Sequence, residues 1–136
     1  MPDFFKWSDE YLLQISEIDS QHKYFVSLIN ELYTATVNRA GVMKLKEIIG
    51  RLNQYAKDHF ATEEKYFKLF EFEGADEHIA EHQKLSAKVK EFSEKINTLD
   101  PKTSFEIIDF LESWLLDHLV SMDRKYVDCF HKHGLK

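Results

Sequence analysis

The sequence has little glycine, little proline and a single cysteine. Four glycines and two prolines in 136 residues are too few for the many tight turns of a β-sandwich or a β-barrel. One cysteine excludes an internal disulfide framework and an iron–sulfur cluster ligated by the cysteines of one chain. We therefore expect a protein of a reducing compartment and take the cytoplasm as its location.

Basic charge and long apolar segments are also scarce. The formal net charge is −6, whereas nucleic-acid-binding proteins normally carry a basic face. No apolar run approaches the ~20 residues that span a bilayer. Residues 1–14 contain one basic residue, Lys6, and no cleavage site of a secretory signal. We therefore expect no nucleic-acid partner and no membrane insertion.

Four stretches of the chain repeat apolar side chains every three or four residues, as the buried face of an amphipathic helix does. Asp19 stands where it could cap the first of these helices. Residues 1–18 are rich in aromatic side chains without sustained helical spacing, so we expect an extended arm that packs along the domain. The predicted helices are at about 19–38, 43–70, 75–98 and 102–131. Their short connections predict one all-α domain over residues 1–136, an antiparallel up-down-up-down four-helix bundle.

Polar side chains continue the apolar stripes of these helices, where an unpaired imidazole or carboxylate costs several kcal/mol. They come early in the first and third helices and late in the second and fourth. Because the helix directions alternate, all of these positions fall at one end of the bundle. The candidate metal ligands are His22, His59, Glu63, His78, His82, His118 and Asp123.

The spacing of these residues is that of a shared site. His59 and Glu63 are four residues apart, as are His78 and His82, so the members of each pair are only about 40° apart on a helix. His118 and Asp123 are five residues apart, about 140° on an ideal helix. For both to reach one site the last helix must be interrupted, and we expect the irregularity near Val120.

A metal centre is the interpretation that explains the whole set. A lone inward histidine is usually a satisfied core residue, but a hydrogen-bonded network of this size is hard to satisfy. Imidazole and carboxylate suit iron, zinc, copper or nickel, and the set is too large for one tetrahedral zinc. If Glu63 and Asp123 each bridged two octahedral ions, with an oxo or hydroxo group between them, about one coordination position would stay free.

The same residues resemble the hemerythrin family, and in particular its single-domain bacterial members. The resemblance covers most of the chain and includes Trp7 and Tyr11 in the arm. One departure is Gln14, where members of the family often have glycine. The resemblance rests on Ile18-Asp19-Ser20-Gln21-His22, His59-Phe60 with Glu63-Glu64, His78 with His82, and Trp114 with His118 and Asp123.

The resemblance implies a non-haem, oxo- or hydroxo-bridged di-iron centre that binds dioxygen reversibly. By position, one iron would be held by His78, His82 and His118, the second iron by His22 and His59, and both by the bridging Glu63 and Asp123. The second iron would keep the open position. The surrounding apolar side chains would limit side reactions, although they are equally explained as ordinary core: Phe25, Phe60, Trp114, Leu115 and Leu119.

An oxygen carrier, store or delivery protein, not an enzyme, is the function that the resemblance implies. Its ligand is dioxygen, a candidate recipient is an oxygen-consuming enzyme, and we expect a monomer. Two alternatives stay open, a di-iron enzyme that activates oxygen or peroxide and an oxygen-sensing module that acts through a partner chain. Ferritin-like oxidases typically supply Glu-x-x-His from two helices, and no inward histidine here follows a glutamate at that spacing.

Other polar residues near the site have weaker signals. Tyr126 is a candidate neighbour of the ligands because it follows Asp123 by three residues. Glu64 is expected to be solvated, since it is offset by about 100° from Glu63. The group Cys129, His131 and His133 is expected on an exposed helix end and a frayed tail, with a second metal site or an intermolecular disulfide as the alternative.

Overall fold

The computed structural model describes residues 4–96 and 101–136 and contains no strand within those ranges. After a short 3-10 turn at Asp9–Tyr11, the described residues are mostly helical. The elements are α1 (Ser16–Val37), α2 (Val42–Leu69), α3 (Ala75–Lys95), α4 (Pro101–Asp117), a π-helix (His118–Asp123) and α5 (Arg124–Lys132). The predicted all-α bundle is confirmed, with α1 against α2 and α4, and α2 against α3. The expected end of the third helix at residue 98 lies outside the described residues.

The first helix begins earlier than the sequence suggested, and the predicted cap at Asp19 is wrong. Helix α1 starts at Ser16, with Ile15 as an N-cap residue that makes no side-chain capping bond. Asp19 lies within the first turn and its carboxylate reaches back to the arm. It accepts hydrogen bonds from the backbone N–H groups of Leu13 (2.8 Å) and Ile15 (3.2 Å). From the sequence alone, an aspartate that bonds to the segment leading into a helix looks the same as one that caps the helix itself.

The backbone of the turn before α1 explains why glycine would be expected at position 14, where this chain has Gln14. Its φ of 61° lies in the left-handed region, where glycine has no steric cost. Its carbonyl accepts a hydrogen bond from Nε2 of His131 in α5, with a distance of 3.0 Å. The arm and the last helix are therefore tied together at this turn.

Two apolar clusters lie on either side of the predicted ligands. The larger one fills the bundle between α1, α2, α3 and α4. The smaller one joins the arm and α1 to α2 and α5, and consists of Leu13, Ile15, Ile18, Phe67, Tyr126 and Phe130. This second cluster closes the end of the bundle where the ligands lie.

Candidate metal centre

The structure brings all seven predicted ligands together at one end of the bundle. None is more than 3% exposed, and Glu63 and Asp123 are completely buried. The ligands form two groups, and within each group the donor atoms lie within 4.8 Å of one another. One group has three histidines and Glu63, and the other has two histidines and Asp123. The groups are Glu63, His78, His82 and His118, and His22, His59 and Asp123.

Glu63 lies against histidines from both groups. Its Oε1 atom is 2.9 Å from Nε2 of His82 and 3.1 Å from Nε2 of His59. The Nε2 atom of His78 is 3.6 Å from the same oxygen. One carboxylate thus contacts histidines of two helices, α2 and α3.

Asp123 divides its two oxygens between the groups. Its Oδ2 atom is 2.9 Å from Nε2 of His22. Its Oδ1 atom is 2.8 Å from Nε2 of His118 and 3.0 Å from Nε2 of His78. The carboxylate therefore stands between the two-histidine group and the three-histidine group.

The last helix departs from α-geometry where the ligand spacing required it. The five-residue separation of His118 and Asp123 led us to expect an irregularity near residue 120, and the structure has a π-helix over His118–Asp123. A π-turn is wider by one residue than an α-turn, so residues five apart come round to the same face. Both side chains consequently point into the bundle.

The donor atoms fit a metal better than they fit one another. Two ligands about 2.1 Å from one ion and at right angles lie about 3 Å apart, which is the separation of most nitrogen–oxygen pairs here. Despite these short distances, several of the buried atoms have no hydrogen-bond partner of acceptable geometry within the described part of the chain. Among the ligand atoms they are both ring nitrogens of His22, Nε2 of His59, Nδ1 of His78, Oε2 of Glu63 and both oxygens of Asp123. Buried polar atoms left without partners are costly unless an ion satisfies them.

The charges of the cluster support the ionised state of the carboxylates. Burial raises the pKa of Glu63, but the positive charge of His59 and the close approach of the His59, His78 and His82 imidazoles hold it well below its usual range. Burial and the charge of Glu63 raise the pKa of Asp123, yet His118 and His22 lower it below its usual value. Burial lowers the pKa of His78, but the adjacent carboxylates of Asp123 and Glu63 raise it to about 9. The proton on His78 takes the place that a cation would take in a metal-loaded site.

Aromatic rings pack against the ligand histidines and separate them from solvent. Phe60 stacks on His82, with ring centroids 3.8 Å apart, and Trp114 stacks on His118 at 4.3 Å. Tyr55 stacks on His59 at 5.3 Å, and Phe67 meets His78 edge-on at 4.9 Å. The rings come from α2 and α4, so the same stripes that form the core also fix the planes of the imidazoles.

The sequence did not show that two further residues bond to the Nδ1 atoms of ligand histidines. Oε1 of Gln21 accepts a hydrogen bond from Nδ1 of His59 (2.6 Å), and Oε2 of Glu64 accepts one from Nδ1 of His82 (3.2 Å). Glu64 keeps solvent access, as expected, with its side chain 37% exposed, but α3 packs beside α2 and also brings the edge of His82 to it. The signal that could have found both is a polar side chain directly adjacent in sequence to a predicted ligand.

Tyr126 lies among these residues, as its spacing from Asp123 suggested. Its side chain is fully buried, and its hydroxyl has no hydrogen-bond partner of acceptable geometry within residues 4–96 and 101–136. Burial, followed by the charges of Asp123 and Glu63, raises the pKa of Tyr126 well above its usual value. The hydroxyl is therefore protonated and available as a donor toward the carboxylates.

The group at the C-terminus lies at the largely exposed end of α5, as expected, and its histidines contact the rest of the chain. Helix α5 continues to Lys132, and His131 bonds to the arm as described above. His133 donates from Nδ1 to the carbonyl of Cys129 (2.8 Å) and stacks on Phe70, with ring centroids 4.6 Å apart. Their imidazoles thus have structural partners, and they are absent from the metal-compatible groups found in the described ranges.

Known proteins resemble this chain over most of its length. Residues 13–130 match the family described as the hemerythrin HHE cation binding domain. The chain is 33% identical over 128 residues to a bacteriohemerythrin of Clostridium acetobutylicum, covering 91% of this chain and 99% of that protein. It is 29% identical over 126 residues to a myohemerythrin of Riftia pachyptila, covering 93% of each. The crystal structure of a wild-type hemerythrin superposes with a TM-score of 0.81 at 21% identity, covering 93% of this chain and 97% of that one, and shows the same fold.

Proposed function

The chain belongs to the hemerythrin family, so it binds dioxygen at a non-haem iron centre, and we propose that this centre contains two iron ions. The observation that supports two ions is the position of the two carboxylates. Glu63 contacts His82 of the three-histidine group and His59 of the two-histidine group. Asp123 contacts both groups through different oxygens. Carboxylates that face two sets of histidines are placed to be shared by two ions.

The two groups of histidines would hold the ions unequally. Three histidines, His78, His82 and His118, would hold one iron, and two histidines, His22 and His59, would hold the other. With both carboxylates shared, and an oxo or hydroxo bridge as the family resemblance implies, the iron with two histidines has the vacant position. We therefore place dioxygen binding beside His22 and His59.

Bound iron supplies the reversible binding and release of dioxygen. The chain's own contribution is to fix the ligands and to exclude water from them. Phe60 and Trp114 cover His82 and His118, while Tyr55 covers His59. Such a dry wall limits the escape of protons and the side reactions that would make binding irreversible.

We propose a carrier, store or delivery role without net chemistry. The histidine-rich ligand set favours this role over that of a di-iron enzyme, because ferritin-like oxidases typically use Glu-x-x-His pairs that are absent here. The cytoplasm as location, a monomeric state and an oxygen-consuming enzyme as recipient belong to the same proposal. In residues 4–96 and 101–136, no helix combines the length and the apolarity that a membrane crossing needs.

Oxygen cycling tests the proposal. Purified protein is assayed for iron, reduced without air, exposed to oxygen and then sparged with inert gas while its visible spectrum is recorded. We expect about two iron ions per chain and an absorption band that appears with oxygen and disappears on sparging. A band that bleaches in one direction with oxidation of an added substrate would favour the enzyme. Iron at one ion per chain or less would contradict the two-ion centre.

A further inference from the structure

The Nδ1 atoms of the ligand histidines, which face away from the centre, differ in their hydrogen-bond partners. Nδ1 of His59 is bonded to Gln21, and Nδ1 of His82 is bonded to Glu64. Nδ1 of His22 and of His78 has no partner among the residues that the structure describes. A carboxylate thus holds the Nδ1 of His82 in the three-histidine group, and a neutral amide holds the Nδ1 of His59 in the two-histidine group.

The hydrogen bonds around Gln21 determine which nitrogen of His59 carries the proton. The Thr62 hydroxyl donates to the carbonyl of Asp58 (3.0 Å), so it can only accept from Gln21. The amide nitrogen of Gln21 therefore faces Thr62 (3.1 Å), and its carbonyl oxygen faces His59. Because that oxygen can only accept, Nδ1 of His59 must carry the proton. The lone pair of a neutral His59 is then on Nε2, directed at Glu63 and the metal centre.

Glu64 selects the same tautomer at His82, but its acceptor is a charged carboxylate and not a neutral amide. An ionised carboxylate has no proton to donate, so Nδ1 of His82 carries the proton and Nε2 faces Glu63 at 2.9 Å. Hydrogen bonds to a charged acceptor are stronger than those to a neutral one, and they make the imidazole a stronger ligand. Gln21 has the same geometry without the charge.

From this difference we propose that Gln21 and Glu64 are positioning residues that set the ligand strength of the two iron positions unequally. Glu64 makes His82 a stronger ligand, so the iron with three histidines is bound more tightly. Gln21 orients His59 but leaves it a weaker ligand at the iron that takes up dioxygen. The inference rests on the proposed two-iron centre.

Exchanging the charges of the two residues tests the inference, since Glu64→Gln and Gln21→Glu preserve shape and the ability to accept a hydrogen bond. The iron-loaded, reduced protein is equilibrated without air against a graded iron(II) chelator, and iron retained per chain is measured. Glu64→Gln is expected to raise the dissociation constant of one iron by about 10- to 100-fold. Gln21→Glu is expected to lower the dissociation constant of the other iron. Nonspecific damage to the fold does not tighten metal binding, so the second result is diagnostic.

The ring proton gives a second readout that is independent of affinity. In zinc-loaded, ¹⁵N-labelled protein, both charge exchanges should leave His59 and His82 with the proton on Nδ1. Gln21→Leu should change the nitrogen shifts of His59 while those of His82 stay as they are. Glu47→Gln and Gln54→Glu make the same changes of charge at exposed positions of α2 and serve as matched controls.

The outcomes separate this inference from the function on which it depends. If the wild-type protein holds fewer than two ions, the proposed function fails. If it holds two ions and both charge exchanges weaken binding, or neither differs from its control, the function stands and the inference is overturned. Opposite shifts of the two dissociation constants, with unchanged tautomers, support it.

Discussion

At the scale of single residues, periodicity was enough to find the ligands but not the residues that orient them. The ligands stand on apolar stripes, where a polar residue conflicts with its surroundings and is conspicuous. Gln21 and Glu64 stand on the flanks of the same helices, where polar residues are ordinary. Their contacts with His59 and His82 depend on which helix packs beside which, and helical spacing alone does not contain that information.

The assignment of His59 to the more open iron predicts a selective loss. His59→Ala should reduce the iron content from about two ions per chain to about one and abolish the oxygen-dependent visible band, because only His22 would remain to hold that ion with the carboxylates. Iron analysis and visible spectroscopy check this. His131→Ala, at a histidine outside the site, is the matched control. Unchanged iron content and spectrum in His59→Ala would refute the assignment.

The buried hydroxyl of Tyr126 predicts that its removal changes stability little. Tyr126→Phe keeps the ring stacked on Phe130, with centroids 4.3 Å apart, and removes a hydroxyl that has no bonding partner in the described structure. The free energy of unfolding should therefore change by less than about 1 kcal/mol, as measured by denaturant titration of the iron-loaded protein. A loss above about 2 kcal/mol would mean that the hydroxyl donates a full hydrogen bond to Glu63 in that protein.

At the scale of elements, the sequence predicted the kinds of element better than their ends. Apolar spacing identifies a helix over many residues, whereas each end depends on a few hydrogen bonds. Asp19 shows the difficulty, because it lies inside the first turn and its carboxylate bonds back to the N–H groups of Leu13 and of the N-cap residue Ile15. The irregularity in the last helix was predictable for another reason, since two inward ligands five residues apart cannot share a face of a regular α-helix.

The link between the arm and α1 predicts the cost of losing Asp19. Asp19→Ala leaves the buried N–H groups of Leu13 and Ile15 without their acceptor. Each unsatisfied group costs about 1–3 kcal/mol, so the free energy of unfolding should fall by about 2–6 kcal/mol. Chemical denaturation of the iron-loaded variant measures this. Asp128→Ala removes an exposed carboxylate of α5 as the control, and an equal effect of the two substitutions would contradict the assigned role of Asp19.

At the scale of the whole molecule, the arm and α5 form a second apolar cluster over the site, so folding and metal binding depend on each other. Five histidines and two carboxylates are buried together, an arrangement that is costly without cations. The sequence predicted that the arm packs along the bundle. It did not predict that His131 anchors the arm, because that side chain meets the Gln14 carbonyl only after both ends of the chain have folded.

This coupling predicts a large effect of metal removal on stability. A ligand present at about a thousand times its dissociation constant stabilises a protein by about 4 kcal/mol, which for a domain of this size corresponds to roughly 10 °C or more in Tm. Chelation of iron should therefore lower the Tm by at least that amount, and adding iron(II) back without air should restore it. Calorimetry measures both. Equal Tm values with and without iron would show that the buried cluster is satisfied without a metal.

The most direct test of the two-iron centre is a crystal structure of the iron-loaded protein with anomalous data collected on both sides of the iron absorption edge. We expect two anomalous peaks at the buried end of the bundle, one beside His78, His82 and His118 and one beside His22 and His59. Both peaks should lie within bonding distance of Glu63 and Asp123. A single peak, or imidazoles that bond to the carboxylates with no peak between them, would contradict the account.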